Sequence, residues 1–371
     1  MTKKKVVFII ESLILGGAER VLIDIVNHLD QQRFDTTVCS IFRYSVYDSY
    51  KVGLDSPFIP SIHYKWIVNN NHKCLYRLFN FLLVRVPSLL YRWLVGDGFD
   101  VVVAFYEGAP TAFVANAKLS RGKKIAWLHT STDLSQKGKS NYDLIQQDCF
   151  YSSFSEIIAV SEGVKKSFIS LFPSQTSKVS VIHNPIDENS IRAQSKLSIE
   201  VQRPDCPLLV SVGRMTSAKG YDRYLRVIND LVKEGYVFAV WIIGGGDRSE
   251  YESYCQEKGL RNVKFWGNQN NPYPYMRMAD WIVVPSLIEG LSTVVMEGIV
   301  LGKPIMATDC PGMRELISNN VTGIIVSNDE LAIKNCLSSI LSGTLSQFKI
   351  KDNRDSTYLT QMNDIERILY A

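Results

Sequence analysis

Short apolar segments alternate with longer amphipathic segments along most of this chain, and no other feature constrains its fold as strongly. One series precedes a polar interval, and a second series follows it. The first comprises Val6–Ile10, Thr36–Ile41, Asp100–Ala104, Lys124–Leu128, Ile157–Val160 and Val179–Ile182. The second comprises Leu208–Val212, Phe238–Ile243, Val263–Phe265, Trp281–Val284, Pro304–Ala307 and Gly323–Val326. Buried strands separated by helices predict an α/β fold with parallel sheets and helices on both faces.

The length and the interruption of the pattern predict two domains. A chain of 371 residues exceeds what one hydrophobic core usually organises. The interval from Asp187 to Asp205 is polar and lacks strong periodicity, so we interpret it as a linker. We therefore place one doubly wound Rossmann-like domain at 1–187 and a second at 188–355. In such domains ligands bind beyond the carboxyl ends of the strands.

Composition narrows the class of protein. Hydrophobic residues make up 46% of the chain, and no apolar run is long enough to span a bilayer. The apolar segment at Val6 ends at Glu11 without a cleavage site, so it predicts a first strand rather than a signal peptide. The 7 cysteines are scattered without a Cys-x-x-Cys pair, which favours a reducing compartment and argues against structural zinc. We expect a cytoplasmic protein without a nucleic-acid partner.

A basic and aromatic stretch stands out between Ser56 and Gly96, where no acidic residue occurs. Its cations are Lys65, Lys73, Arg77, Arg85 and Arg92, and they alternate with Trp66, Tyr76, Phe79, Phe81, Tyr91 and Trp93. This pattern is compatible with docking on an anionic membrane surface, at the inner face of the cell membrane. It is equally compatible with a core helix whose basic side chains extend outward.

The segment from Glu289 to Glu297 carries the clearest functional signal. It lies between two predicted strands, and its Gly290-Leu291-Ser292 turn leads into an apolar helix. The unpaired N–H groups and dipole of that helix N-terminus can bind an anion. Glu289 lies at the mouth of this site, and Glu297 lies further along the helix, where it can accept hydrogen bonds from vicinal hydroxyls. Phosphate beside hydroxyls indicates a nucleotide sugar.

Two cations follow the strand that opens the second series. Arg214 comes directly after Gly213, and Lys219 precedes Gly220 at the start of the next helix. Converging cations at a strand end suit a diphosphate leaving group, which gains charge as its bond to the sugar breaks. Two solvated surface charges are the alternative.

Glycine-rich turns follow three other predicted strands. Gly16-Gly17 opens the first helix and can approach a phosphate, or it can be a structural turn. It lacks the Gly-x-Gly-x-x-Gly spacing of dinucleotide sites. Gly245 lies in a turn of three glycines, and Asn268 follows Trp266-Gly267. Both positions suit contacts to a nucleotide, although the glycines also suit a tight turn.

Three polar residues lie at strand ends of the first domain. His129 follows Lys124–Leu128 and can hydrogen-bond a sugar hydroxyl, or it can be satisfied by nearby backbone. Glu107 follows another strand, and we assign it no role. Asn184 precedes Pro185, where we interpret it first as part of a hinge and second as an acceptor contact.

Taken together, these motifs resemble the retaining glycosyltransferases of family 4, whose signature is Glu-x7-Glu in a strand–turn–helix context. The resemblance extends from Val6 to about Ile325. It implies the GT-B architecture, in which two Rossmann-like domains face each other across a cleft, and a terminal helix, here about 356–371, that often returns to the first domain. Many relatives have Asp beside the histidine, whereas this chain has Thr130.

The resemblance also implies roles for individual residues. His129 and Glu289 would contact the sugar, Arg214 and Lys219 the diphosphate, and Glu297 the ribose. The remaining donor-binding positions would be Gly16, Gly17, Gly245, Asn268, Gly290, Leu291 and Ser292.

The implied activity moves a hexose or N-acetylhexosamine, with retention, from a nucleoside diphosphate sugar to a glycan acceptor. We expect a UDP-linked donor, a lipid-linked oligosaccharide acceptor in capsule, O-antigen or exopolysaccharide synthesis, and no cofactor. No Asp-x-Asp motif occurs, so we expect no metal requirement. A nucleotide-sugar epimerase and a non-catalytic sugar-nucleotide-binding subunit remain as alternatives.

Overall fold

A computed structural model describes residues 2–13, 16–43, 62–69, 82, 86–131, 142–319, 321–345 and 358–371. The chain divides into two compact units. The first unit comprises Met1–Pro185 with Thr357–Ala371, and the second comprises Ile186–Ser356.

A parallel sheet forms the centre of the first unit. Its strands are β1 Lys4–Ile10, β2 Phe34–Arg43, β3 His63–Asn69, β4 Val101–Ala104, β5 Lys123–Leu128, β6 Glu156–Ala159 and β7 Val179–Val181. The helices of this unit that precede β7 in the described residues are α1 Gly17–His28, α2 Pro87–Leu94, α3 Ala109–Ala115, α4 Leu144–Ser152 and α5 Glu162–Leu171. The strand order in the described part is β3-β2-β1-β4-β5-β6-β7.

The second unit repeats this design with a second parallel sheet. Its strands are β8 Leu208–Val212, β9 Ala239–Ile243, β10 Val263–Gly267, β11 Trp281–Val284, β12 Ile305–Thr308 and β13 Gly323–Val326. Its helices are α6 Glu188–Gln194, α7 Tyr221–Lys233, α8 Ser249–Lys258, α9 Tyr273–Met278, α10 Thr293–Val300, α11 Met313–Leu316 and α12 Glu330–Leu341. The described strands have the order β10-β9-β8-β11-β12-β13.

The order of each sheet reverses at one place, between β1 and β4 in the first unit and between β8 and β11 in the second. The central strands are buried on both faces: Val6 to Ile9 of β1 are all 0% exposed. Such strands consist of continuous apolar residues, which is why the sequence identifies them well. The predicted doubly wound α/β class is confirmed. The switch point in each sheet opens a crevice at the carboxyl ends of the strands.

The basic aromatic stretch contains both kinds of element: residues His63–Asn69 form an edge strand that pairs in parallel with β2, and Pro87–Leu94 form helix α2. The interpretation of Asp187–Asp205 as a linker without regular structure is wrong. Glu188–Gln194, within the predicted linker, form a helix of the second unit. The Asp187 side chain accepts a hydrogen bond from Ser190 N and caps this helix, whereas Ile191 is its one buried residue. A single buried position gives no periodic signal.

Most of the basic aromatic stretch lies outside the described residues, including Lys73, Arg77 and Arg85. Within the described part, α2 exposes Leu89 by 69% and Trp93 by 80%. No helix in the described ranges has the length and apolar character needed to cross a membrane.

The last helix, α13 Tyr358–Tyr370, belongs to the first unit. Its Ile365 and Leu369 are 0% exposed. Two lysines at the amino ends of strands bind its C-terminal carbonyls: Lys4 Nζ donates to Tyr370 O at 2.6 Å, and Lys123 Nζ donates to Ile368 O at 2.6 Å. The helix therefore lies at the edge of the sheet opposite to the carboxyl ends of the strands.

We expect Ile365→Ala to lower the free energy of unfolding by about 2–5 kcal/mol, because it leaves a cavity under α13. Leu359→Ala on the same helix removes a side chain that is 70% exposed and should change it by less than about 0.5 kcal/mol. Urea titration followed by circular dichroism measures both. Equal effects of the two substitutions would contradict the packing of α13 on the first unit.

Candidate functional site

An ion pair lies at the switch point of the second sheet, where Lys219 and Glu289 meet. Lys219 Nζ lies 2.5 Å from Glu289 Oε1, and the side chains are 24% and 12% exposed. Ser286 Oγ donates to the same carboxylate oxygen at 2.8 Å. The structure thus brings together a residue predicted to bind the diphosphate, Lys219, and a residue predicted to bind the sugar, Glu289, which are 70 residues apart in sequence.

Close backbone approach makes this pair possible. Gly220 has φ of +65°, and a Cβ built on it would lie 2.3 Å from Pro285 O. Any other residue would force the β8–α7 loop away from the β11–α10 loop. The loops are also hydrogen-bonded, since Leu287 N donates to Ala218 O at 2.8 Å. Glycine at this position is required by both conformation and space.

The helix that follows Glu289 begins as the sequence predicts. Gly290, Leu291 and Ser292 are buried, and Ser292 is the N-cap of α10 without a side-chain cap hydrogen bond in the described residues. The first N–H groups of the helix are therefore available to an anion. Glu297 lies one turn further and is 4% exposed. Tyr273 Oη, which sequence reasoning missed, donates to Glu297 Oε1 at 3.3 Å.

The ends of β8, β9 and β10 are joined by backbone hydrogen bonds. Met215 N donates to Gly245 O, and Gly244 N donates to Gly267 O, both at 2.8 Å. A Cβ on Gly244 would lie 2.0 Å from Gly213 O, so this turn also requires glycine. These contacts hold the turns after β8, β9 and β10, which we predict to bind the nucleotide, against one another.

Two of the residues on these turns that we predict to bind the donor are neighbours in the structure, and a third is exposed. A Cβ on Gly245 would lie 3.6 Å from Asn268 Cβ, so these two positions are neighbours. Arg214 is exposed, and within the described part of the chain its guanidinium has no ion-pair partner. It is therefore free to turn toward an anion.

In the first unit, Gly16 and Gly17 lie at the start of α1. Gly16 is the N-cap, and Arg20 N donates to its carbonyl at 3.1 Å. Gly16 has φ of −138°, a conformation that does not itself require glycine. The helix N-terminus follows β1, at the carboxyl edge of the first sheet. A role for these glycines depends on close approach by a ligand.

Glu107 and His129 form a second polar site, at the ends of β4 and β5. Glu107 Oε1 accepts hydrogen bonds from the backbone N–H groups of His129 and Thr130, both at 2.7 Å. The His129 ring stacks on Tyr106 with centroids 5.7 Å apart. Glu107 Oε2 and His129 Nε2 are buried, and neither has a hydrogen-bond partner among the residues that the structure describes. Two polar atoms are thus available for a ligand.

Burial shifts both ionisable groups of this second site toward the neutral form. It raises the pKa of Glu107 to about 7, while the hydrogen bonds from the Thr130 and His129 N–H groups act in the opposite direction. It lowers the pKa of His129 to about 3. Near neutral pH, the histidine is therefore a neutral hydrogen-bonding group.

Each unit thus holds one group of the predicted residues. The second unit brings together Lys219 with Glu289, and Gly245 with Asn268, whereas the first holds His129 and the Gly16-Gly17 turn. Glu107 is a neighbour of His129 that the sequence could have suggested, because both follow adjacent strands of a parallel sheet. In the described residues, no group of three or more His, Cys, Asp or Glu side chains could hold a metal ion.

Two family models match the chain. The model described as Glycosyltransferase Family 4 matches residues 15–190, and the one described as Glycosyl transferases group 1 matches residues 206–342. The first match covers most of the first unit and ends five residues into the second, and the second match lies wholly within the second unit.

The names of similar proteins also describe glycosyltransferases. An uncharacterized glycosyltransferase of Haemophilus influenzae is 26% identical over 88% of this chain and 87% of its own length. A Campylobacter jejuni enzyme named N-acetylgalactosamine-N,N'-diacetylbacillosaminyl-diphospho-undecaprenol 4-alpha-N-acetylgalactosaminyltransferase is 26% identical over 47% of each chain. This chain spans about half the length of several curated relatives, 46% in one case.

The fold is shared with solved structures. Anabaena HepE, crystallised in complex with UDP and glucose, superposes with a TM-score of 0.76 over 99% of this chain and 100% of its own. The sequences are 19% identical, so this likeness concerns the fold alone.

The raised pKa of Glu107 leads to a test of stability against pH. A raised pKa in the folded state favours folding at low pH, and this contribution is lost as pH rises from about 4.5 to about 7. Glutamine can still accept both backbone hydrogen bonds but does not ionise. We therefore expect the free energy of unfolding of Glu107→Gln, minus that of wild type, to be larger at pH 8 than at pH 5 by roughly 1–3 kcal/mol.

Chemical denaturation at the two pH values measures this difference. Glu162→Gln provides the control, because Glu162 is an exposed carboxylate in the same unit and its substitution should have the same effect at both. A Glu107→Gln effect that does not change with pH would contradict the assigned ionisation.

Proposed function

This chain belongs to the glycosyltransferases of family 4 and group 1, and we propose that it moves a hexose or N-acetylhexosamine from a nucleoside diphosphate sugar to a glycan acceptor. The observation that carries the proposal is the Lys219–Glu289 pair beside the N-terminus of α10. One place offers a cation and unpaired N–H groups for a diphosphate, and a carboxylate for sugar hydroxyls.

Both positively and negatively charged side chains hold the donor. Lys219, Arg214 and the α10 N–H groups bind the diphosphate, and Glu297 accepts hydrogen bonds from the ribose. Glu289 binds hydroxyls of the sugar. Lys219 pairs with Glu289, so a bound diphosphate shares or replaces that partner. In the first unit, His129 has a neutral ring and offers Nε2 to a hydroxyl group.

The reaction proceeds with retention of configuration and without a metal ion. The bond between the anomeric carbon and the diphosphate oxygen breaks, and the acceptor oxygen bonds to the same face of that carbon. The acceptor proton passes to the departing diphosphate oxygen. Negative charge grows on the diphosphate in the transition state, where Arg214, Lys219 and the helix N–H groups stabilise it most strongly.

We assign UDP as the nucleotide and a lipid-linked oligosaccharide as the acceptor. UDP and glucose are the ligands named for Anabaena HepE, and the name of the Campylobacter enzyme includes a diphospho-undecaprenol acceptor. The exposed Leu89 and Trp93 on α2, with exposed Arg92 beside them, suit contact with a membrane that carries such a lipid. The protein then acts at the inner membrane face in capsule, O-antigen or exopolysaccharide synthesis.

Purified protein incubated with a panel of UDP-sugars, first alone and then with polyprenyl-diphosphate oligosaccharides, tests the proposal directly. Mass spectrometry should detect a sugar added to the acceptor, and NMR should show an α-linkage. Excess EDTA should leave the rate unchanged. An isomerised donor would identify an epimerase, and binding without turnover would identify a non-catalytic subunit. Turnover that EDTA abolishes and Mg²⁺ restores would overturn the metal-free mechanism.

We expect Glu297→Ala to weaken binding of both UDP-sugar and UDP by about 1.5–3 kcal/mol, the scale of hydrogen bonds to a charged group. Isothermal titration calorimetry gives both affinities. Two controls separate the ribose contact from packing. Glu257→Ala removes an exposed carboxylate of the same unit, and Tyr273→Phe removes only the hydroxyl that donates to Glu297. Unchanged UDP affinity in Glu297→Ala would remove the ribose assignment.

A further inference from the structure

A buried arginine lies directly behind the ion pair of the second unit. Arg223 is on the first turn of α7 and is 5% exposed. Within the described ranges no carboxylate lies within 4.0 Å of its guanidinium. Burying a cation without a carboxylate partner costs free energy of desolvation, so other hydrogen-bond acceptors must compensate for it.

The guanidinium binds main-chain carbonyls instead of a carboxylate. Nη2 donates to Pro285 O at 2.7 Å and to Ser286 O at 3.0 Å, and Nε donates to Pro285 O at 3.2 Å. Nη1 donates to Asn328 O at 3.0 Å, in the loop after β13. One side chain thus ties α7 to the turn after β11 and to the neighbouring loop.

This turn carries the Glu289 site. Ser286, whose carbonyl Arg223 binds, donates through its hydroxyl to Glu289 Oε1 at 2.8 Å. Thr308 Oγ1 donates to the same Ser286 carbonyl at 2.5 Å. The chain of contacts runs from the guanidinium through the Pro285–Ser286 peptide to the carboxylate.

We propose that Arg223 is a positioning residue for transfer: it fixes the Pro285–Ser286 turn so that Glu289 meets the donor sugar in a reactive geometry. This inference rests on the proposed function. Among the described residues, Arg223 makes no hydrogen bond to Glu289 or Lys219, and it acts through the turn. A planar guanidinium can serve three carbonyls that point in different directions, whereas the single ammonium of lysine cannot hold the same arrangement.

The test uses Arg223→Lys, which keeps the charge, with Arg226→Lys as a matched control. Arg226 lies one turn further along the same helix, is 46% exposed, and pairs with Glu330 and Asp222. We expect Arg223→Lys to lower kcat by roughly 100-fold, the scale on which a small misplacement slows a reaction. The stoichiometry and affinity of UDP binding should change by less than about twofold, because Glu289 contacts the donor sugar, which UDP lacks. Arg226→Lys should match wild type throughout.

A double-mutant cycle shows whether Arg223 acts through Glu289. If it does, Arg223→Lys added to Glu289→Gln should lower kcat by less than about threefold further, since the group that it positions is already changed. Ser286→Ala breaks only the last link to Glu289. It should lower kcat by roughly tenfold, the order of one lost hydrogen bond, and it keeps the test open if Arg223 variants do not fold.

Each outcome decides between the two claims. A wild-type protein that transfers no sugar would overturn the proposed function and this inference with it. Transfer by wild type with kcat unchanged in Arg223→Lys would overturn the inference alone. The inference would also fall if the loss were additive with Glu289→Gln, or matched by an equal loss of UDP-binding stoichiometry, because arginine would then serve only the general stability of the unit.

Discussion

The contact between the backbone at Gly220 and the carbonyl of Pro285 is the constraint on which the second unit's site depends. It brings the loop after β8 against the loop after β11, with no room for a Cβ between them. Because these are the strands at the switch point of the sheet, Lys219 and Glu289 meet where a crevice opens. The ion pair and the position of the Arg223 guanidinium beside Pro285 both depend on that approach.

The two units present different chemistry on the same architecture. The second unit offers cations, N–H groups and carboxylates, which suit a charged nucleotide sugar. In the first unit, Glu107 and His129 are shifted toward their neutral forms by burial. Neutral hydrogen-bonding groups suit hydroxyls, which neither carry charge nor need it to be compensated.

The sequence predicts the sheets well because their central strands are continuous apolar segments. It misses β3, an edge strand in a basic segment, and α6, which buries only Ile191. Arg223 shows a further limit. Arg223 and Arg226 lie three residues apart on the amphipathic helix α7, yet Arg223 is 5% exposed and Arg226 forms surface ion pairs. Only the tertiary structure, by placing three carbonyls beside one of them, distinguishes the two arginines.

The return of α13 to the first unit has a consequence for synthesis on the ribosome. The strands of that unit are translated first, but the helix that covers Lys4 and Lys123 emerges only after the entire second unit. Domains generally fold in the order in which they are made. Here the second unit can finish folding while the first still exposes the apolar surface that Ile365 and Leu369 will cover, so the first unit to be made is the last to be completed.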